Sequence, residues 1–156
     1  AATGVLVARS VGAHSISGVQ RAFRMGMTVA MALLAALSLV ILIDSDLVVR
    51  IYADDPALLA MAGPALFIAC FFFMADGAQV VSAQALRARG DIWWPTGMHF
   101  ISYIVIMLPL AWWLGVARGG ALTGIVWGVA IASMISGVAL WMRFVALKDR
   151  MKQGDI

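Results

Sequence analysis

From Pro56 to Leu86 the chain runs for 31 residues with a single charged side chain, Asp76. A helix needs about 20 apolar residues to cross a hydrocarbon core about 30 Å thick. Inside that core every backbone N–H and C=O has to be satisfied by the helix itself. Three more runs carry no Asp, Glu, Lys or Arg: Met25–Ile43 with 19 residues, Ile92–Ala117 with 26 and Gly119–Met142 with 24. The expected fold is an all-α integral membrane protein with spans at about 25–43, 57–86, 92–117 and 119–142. Ala1–Ala8 is apolar but too short to span, and no initiator Met or signal peptide opens the chain. It reads as the end of a helix, and the chain as a fragment of a larger protein.

Charge agrees with a membrane reading. Charged residues make up 12% of the chain and mean hydropathy is +0.98, whereas soluble domains carry about a quarter charged residues. The net charge of +3 does not point to nucleic acid, because the basic residues cluster between spans and form no basic face. Arg9, Arg21, Arg24, Arg87, Arg89, Arg143, Lys148, Arg150 and Lys152 fall at alternate helix ends, with only Arg50 and Arg118 opposite. Asp44, Asp46, Asp54 and Asp55 lie on the Arg50 side. Nine basic residues against two place the first turn, the Arg87–Asp91 turn and the C-terminus in the cytoplasm. Trp93-Trp94 and Trp112-Trp113 are separated by about 29 Å of helix, which fits two interfacial aromatic belts.

Connections are expected at His14–Gln20, Asp44–Asp55, Arg87–Asp91 and Arg118–Gly120. Asp46–Ala53, with Leu47, Val48, Val49, Ile51 and Tyr52 around Arg50, suits a short amphipathic turn at the interface. Pro56 follows at an early helical position. Gly120, Gly124, Gly128, Ala132 and Ser136 form a small-residue stripe that lets two helices approach closely. Pro64 and Pro109 lie inside spans and are expected to kink them. Cys70 has no disulfide partner and reads as a small core residue.

Asp76 is the candidate site. A carboxylate at bilayer depth costs at least about 2.5–3.5 kcal/mol, which points to a water-accessible functional site rather than to packing. The competing reading is a protonated Asp bonded to a neighbouring helix. Gln79 lies at i+3 from Asp76 and shares its face; on the next span His99 and Tyr103, at i+4, share a face with each other. Gln79 serves either as a site partner or as a brace; His99 reads as a structural histidine or a proton relay. Phe71, Phe72 and Phe73 are bulk facing lipid or core, or an aromatic wall for a ligand. Metal-ligand spacings, nucleophile–base pairs and phosphate loops are missing, so no enzyme or resident cofactor is expected.

The order of these residues is where a family likeness appears. Asp76 and Gln79, then Leu86-Arg87 with Arg89-Gly90-Asp91, Pro95, Ser102-Tyr103, Leu108-Pro109-Leu110 and Gly124-Ile125 with Trp127-Gly128, resemble the C-terminal lobe of MATE multidrug exporters. Arg9-Ser10-Val11-Gly12-Ala13 with Arg21-Ala22 resembles that family's turn from the eighth helix into the ninth. Gln84-Ala85 and Ala88 stand where the family usually has glycines around its Leu-Arg pair. The resemblance covers residues 1–156 and implies the end of helix 8 plus helices 9–12 of a twelve-helix transporter. It implies a secondary antiporter in the bacterial inner membrane that exports cationic or amphipathic compounds against inward Na⁺ or H⁺. The N-terminal lobe of the same parent chain would complete it. Asp76 then maps onto the acid associated with cation binding and is the Na⁺ ligand if Na⁺ is the coupling ion. Gln79 and Tyr103, and more distantly Phe72, Phe73 and His99, complete the expected site. Two alternatives stand beside this: a lipid-linked saccharide flippase of the same superfamily, and a four-span structural subunit without transport.

Overall fold

The computed structural model describes residues 2–51 and 55–153, with side chains as far as residue 147. Tyr52, Ala53 and Asp54 lie outside the described residues, as do the side chains of Lys148, Arg150 and Lys152. Among the described residues the chain is helical and has no strand. The elements are α1 (Ala2–Gly12), α2 (Ile16–Ile43), α3 (Ser45–Arg50), α4 (Pro56–Ala88), α5 (Trp93–Ala117) and α6 (Ala121–Gln153). Four of them, α2, α4, α5 and α6, are long and apolar enough to cross a membrane.

Local chemistry explains most boundaries. Ser15 Oγ accepts from the Gly18 N–H at 3.1 Å and starts α2 at Ile16. The expected His14–Gln20 turn is therefore shorter: Ser17 and Gln20 are already helical, on a first turn capped by that serine. Asp44 closes α2 and caps α3 through Leu47 N–H at 2.8 Å. Asp55 caps α4 through Ala57 N–H at 2.8 Å, with Pro56 in the first turn. At the far end of α4, Gly90 N–H reaches the Arg87 carbonyl at 3.0 Å and Asp91 N–H the Leu86 carbonyl at 3.1 Å. That is a Schellman motif, with Gly90 at φ +86° supplying the left-handed residue. The end of α1 closes the same way, by His14 N–H to Val11 and Ser15 N–H to Ser10, but with His14 at φ +51°.

Helices α4 and α6 form the central pair. Helices α1 and α2 pack on α4, and α5 leans on α6 far more than on α4. The small-residue stripe is the α5–α6 seam. A Cβ at Gly128 would lie 2.7 Å from Ala111 Cα, and one at Gly124 would run into the Leu114 carbonyl. Ala132 and Ser136 continue the stripe and are fully buried. The seam is packing within one chain. Pro64 sits in an unbroken α4, whereas Pro109 lies between two π-helical stretches of α5, Ile101–Met107 and Trp113–Ala117. Wider turns on both sides of a proline that lacks an N–H re-aim the side chains they carry. The core gathers at the basic end of the bundle, where Phe23 and Phe144 stack 4.0 Å apart over Leu86 and Leu140. Cys70 is buried against the Ser38 carbonyl.

Candidate functional site

Helix α4 presents Asp76 and Gln79 on one face; α5, running back antiparallel, presents His99 and Tyr103. The helices diverge beyond their shared turn, so long side chains span the interval. Gln79 Nε2 lies 2.7 Å from His99 Nδ1. One turn further from the α4–α5 connection, Tyr103 Oη donates to Asp76 Oδ1 at 3.3 Å. The His99 and Tyr103 rings stack with centroids 6.0 Å apart, which fixes the His99 acceptor and the Tyr103 donor relative to each other.

The third wall is α6. Gly137 lies close enough that an added Cβ would stand 3.4 Å from the Ala75 carbonyl and 3.8 Å from Gln79 Cβ. One turn earlier on α6, Ser133 is turned toward Tyr103 without a hydrogen bond between the two hydroxyls. Gln79 is fully buried, and its Oε1 has no partner among the described residues. The hydroxyls of Ser82, Ser102, Ser133 and Ser136 are buried in the same condition. Asp76 is half-buried and in no ion pair; Arg143–Asp91 is the one ion pair among the described residues.

Sequence spacing paired Asp76 with Gln79 and His99 with Tyr103, and the structure sets these two pairs against each other. Phe72 sits one turn before Asp76 on its face and Phe73 beside it, both half-buried, with ring centroids 5.8 Å apart. Phe71 faces outward against Phe67 and lines a separate apolar groove of about 450 Å³ between α2, α4 and α6. Ser133 was not expected, and Ser136 only as part of the small-residue stripe. Their signal was two hydroxyls three residues apart in an otherwise apolar span, which places them on one face.

Chemically the cluster offers one carboxylate with neutral oxygens from Tyr103, Ser133 and Gln79. No three His, Cys, Asp or Glu side chains meet among the described residues. Hard oxygen donors with a single negative charge suit a proton, an alkali cation or an organic ammonium better than a soft transition metal.

The MatE family model matches residues 1–113 of the chain, which takes in α1 to α4 and most of α5. This chain belongs to the MatE family. The similarity extends through α6 in individual relatives. A probable multidrug resistance protein NorM of Caulobacter vibrioides is 42% identical over 149 residues, covering 96% of this chain and 32% of the relative. Proteins of the same description from Xanthomonas campestris and Xylella fastidiosa are 30% and 29% identical over 153 residues, 98% of this chain and 33% of theirs. The chain spans about a third of the length of these curated relatives. With the family match, the four apolar helices make this chain a multi-pass membrane protein.

Proposed function

We propose that the chain is the C-terminal lobe, from the end of helix 8 through helix 12, of a secondary antiporter that exports cationic or amphipathic compounds against inward Na⁺ or H⁺. The observation that carries the reading is Asp76: a carboxylate within a MatE span, outside any ion pair among the described residues, with a tyrosine hydroxyl as its neutral partner. A cation arriving there meets a carboxylate that pairs with no Lys, Arg or His among the described residues. Coupling ion and cationic substrate both need that negative charge, so occupancy by one disfavours the other. Gln79 Oε1 and the Ser133 hydroxyl supply neutral oxygens on the same side, and Phe72 and Phe73 provide apolar surface for the rest of an amphipathic molecule. Alternating access about a site between two lobes is the transport cycle this implies.

The basic asymmetry supports an orientation in the bacterial inner membrane with the α1–α2 turn, the α4–α5 turn and the C-terminus in the cytoplasm. A C-terminal reporter fusion active only in the periplasm would overturn it.

The central test is Asp76→Asn in the full-length protein, assayed for drug efflux and for ion-triggered substrate release at matched expression. The substitution keeps shape and removes charge. Efflux is expected to fall at least about tenfold, equivalent to roughly 1.4 kcal/mol, with ion-triggered release lost. Undiminished, ion-coupled efflux would return Asp76 to a structural role.

A further inference from the structure

At the basic end of the bundle the α1–α2 turn, the α4–α5 turn and the Arg143–Leu147 stretch of α6 line a cavity of about 510 Å³. Its polar lining comes from Arg89, Arg143, Asp91, Ser10, Ser15 and His14. Two guanidinium groups face one carboxylate, leaving an excess of positive charge. Arg143 Nε binds Asp91 Oδ2 at 2.9 Å, and Arg89 Nη1 donates to the Phe144 carbonyl at 3.2 Å. These are the only hydrogen bonds either guanidinium makes among the described residues. Each guanidinium carries five N–H donors in a planar fork, so most of that capacity is directed at no group among the described residues. Burial pushes Arg89 down from its ordinary value while Asp91 pulls it back, and a guanidinium keeps its charge throughout the physiological range.

Ser15 and Ile16 bring the first turn of α2 to the same wall. The positive end of this 28-residue helix meets the negative ends of α1 and α4, where Ser10, Val11 and Gly90 line the same cavity, so the surplus positive charge is that of the two arginines.

Two observations set the depth of the cavity. Arg143 lies over the Trp94 ring at 5.0 Å, and Trp93 beside it is 86% exposed. Tryptophans of this kind mark the headgroup level of a bilayer. The rest of the lining, including Val11, Ile16 and Leu147, is apolar. A site at headgroup depth with surplus guanidinium donors and an apolar flank matches one ligand chemistry, a phosphodiester carrying acyl chains. Basic pockets between membrane helices hold anionic headgroups by this combination.

We propose that this cavity is a binding site for the phosphate headgroup of an anionic phospholipid. The two guanidinium forks take the phosphate oxygens, and Val11, Ile16 and Leu147 flank the start of an acyl chain. The proposal does not depend on transport, and the efflux test at Asp76 is independent of it.

The test uses the full-length protein in phosphatidylcholine nanodiscs doped with phosphatidylglycerol, with retained lipid counted by native mass spectrometry. Phosphatidylglycerol is expected to be retained over phosphatidylcholine. Arg89→Gln should lower that preference about fivefold, the effect of about one interfacial cation, and Arg89→Lys should keep part of it. Asp91→Asn removes the one negative charge of the cavity and should raise the preference. No preference for phosphatidylglycerol, or an equal preference in Arg89→Gln, would overturn the proposal. Should Arg89→Gln melt lower in pure phosphatidylcholine, Asp91→Asn decides: an unchanged or reduced preference refutes the site. Inorganic phosphate is titrated separately in phosphatidylcholine. If it raises the melting midpoint while phosphatidylglycerol is not retained, the cavity takes a soluble anion and the lipid assignment is wrong.

Discussion

Tyr103 meets Asp76 through one hydroxyl at 3.3 Å, well beyond the roughly 2.5–2.7 Å of a strong O–H···O⁻ bond. One turn nearer the α4–α5 connection, Gln79 and His99 lie 2.7 Å apart. Two bridges thus join the same pair of helices, a close one in the buried interior and a long one at the half-buried carboxylate. The close bridge positions; the long one leaves the carboxylate with most of its acceptor capacity.

That difference predicts the behaviour of Tyr103→Phe. The ring still stacks on His99, so stability should change by no more than about 1 kcal/mol, the usual worth of one hydrogen bond. The cation loses a neutral oxygen, so the ion concentration for half-maximal coupled efflux should rise severalfold. Melting midpoint and ion dependence of efflux, measured on the same preparation, check both halves. An unchanged ion dependence would remove Tyr103 from the site.

Gln79 and His99 share one hydrogen bond, yet their replacements should not cost the same. His99→Leu leaves Gln79 fully buried with both ends of its amide unpaired, a loss of about 1–3 kcal/mol. Gln79→Leu removes the buried amide together with its partnerless Oε1 and leaves only a half-exposed imidazole nitrogen. Thermal unfolding in one detergent should therefore rank His99→Leu below Gln79→Leu. The reverse order would show that Gln79 contributes through something other than this bond.

Gly128→Ala and Gly124→Ala each drive a methyl group into α5 backbone, which has no side-chain torsion with which to yield. Each should destabilise by about 1–3 kcal/mol. Gly97→Ala, in an α-helical stretch with no atom within 4 Å of the added carbon, should be neutral or gain about 0.5–1 kcal/mol. Equal melting shifts for Gly128→Ala and Gly97→Ala would rule out the seam.

The two Schellman ends give a matched pair. Gly90 at φ +86° has open space around it, so Gly90→Ala costs only backbone strain, about 1–2 kcal/mol. His14 at φ +51° bears that strain already and is exposed, so His14→Gly should stabilise by about 1 kcal/mol. Opposite signs are the expected result of denaturation measurements on the two variants.

The spans were legible because a long run without charges has one solution in a bilayer. Asp55-Pro56 announced its helix start for an equally local reason, a cap followed by a residue that needs no N–H. The start of α2 was less clear: Ser17, Gln20 and Arg21 look like a turn, and only Ser15 reveals the helix beneath them. Within the site, Asp76–Gln79 and His99–Tyr103 could be paired by helical spacing. That one pair faces the other, with Ser133 as a third wall, depends on how α4 and α5 diverge across α6, and no local pattern encodes that. The π-helical stretches were similarly hidden, since Pro109 signals a disturbance without stating how it is absorbed.

The α5–α6 seam has a mechanical consequence. Where Gly124 and Gly128 set main chain against main chain there is no layer of side chains to slide or repack, so α5 and α6 form a stiff plank that any rearrangement carries whole. Compliance is left to the opposite edge of α5, where a few long side chains span the interval to α4. Asp76 and Tyr103 stand at that sparsely packed joint, so a change in their bond bears on the edge of the plank rather than on its seam.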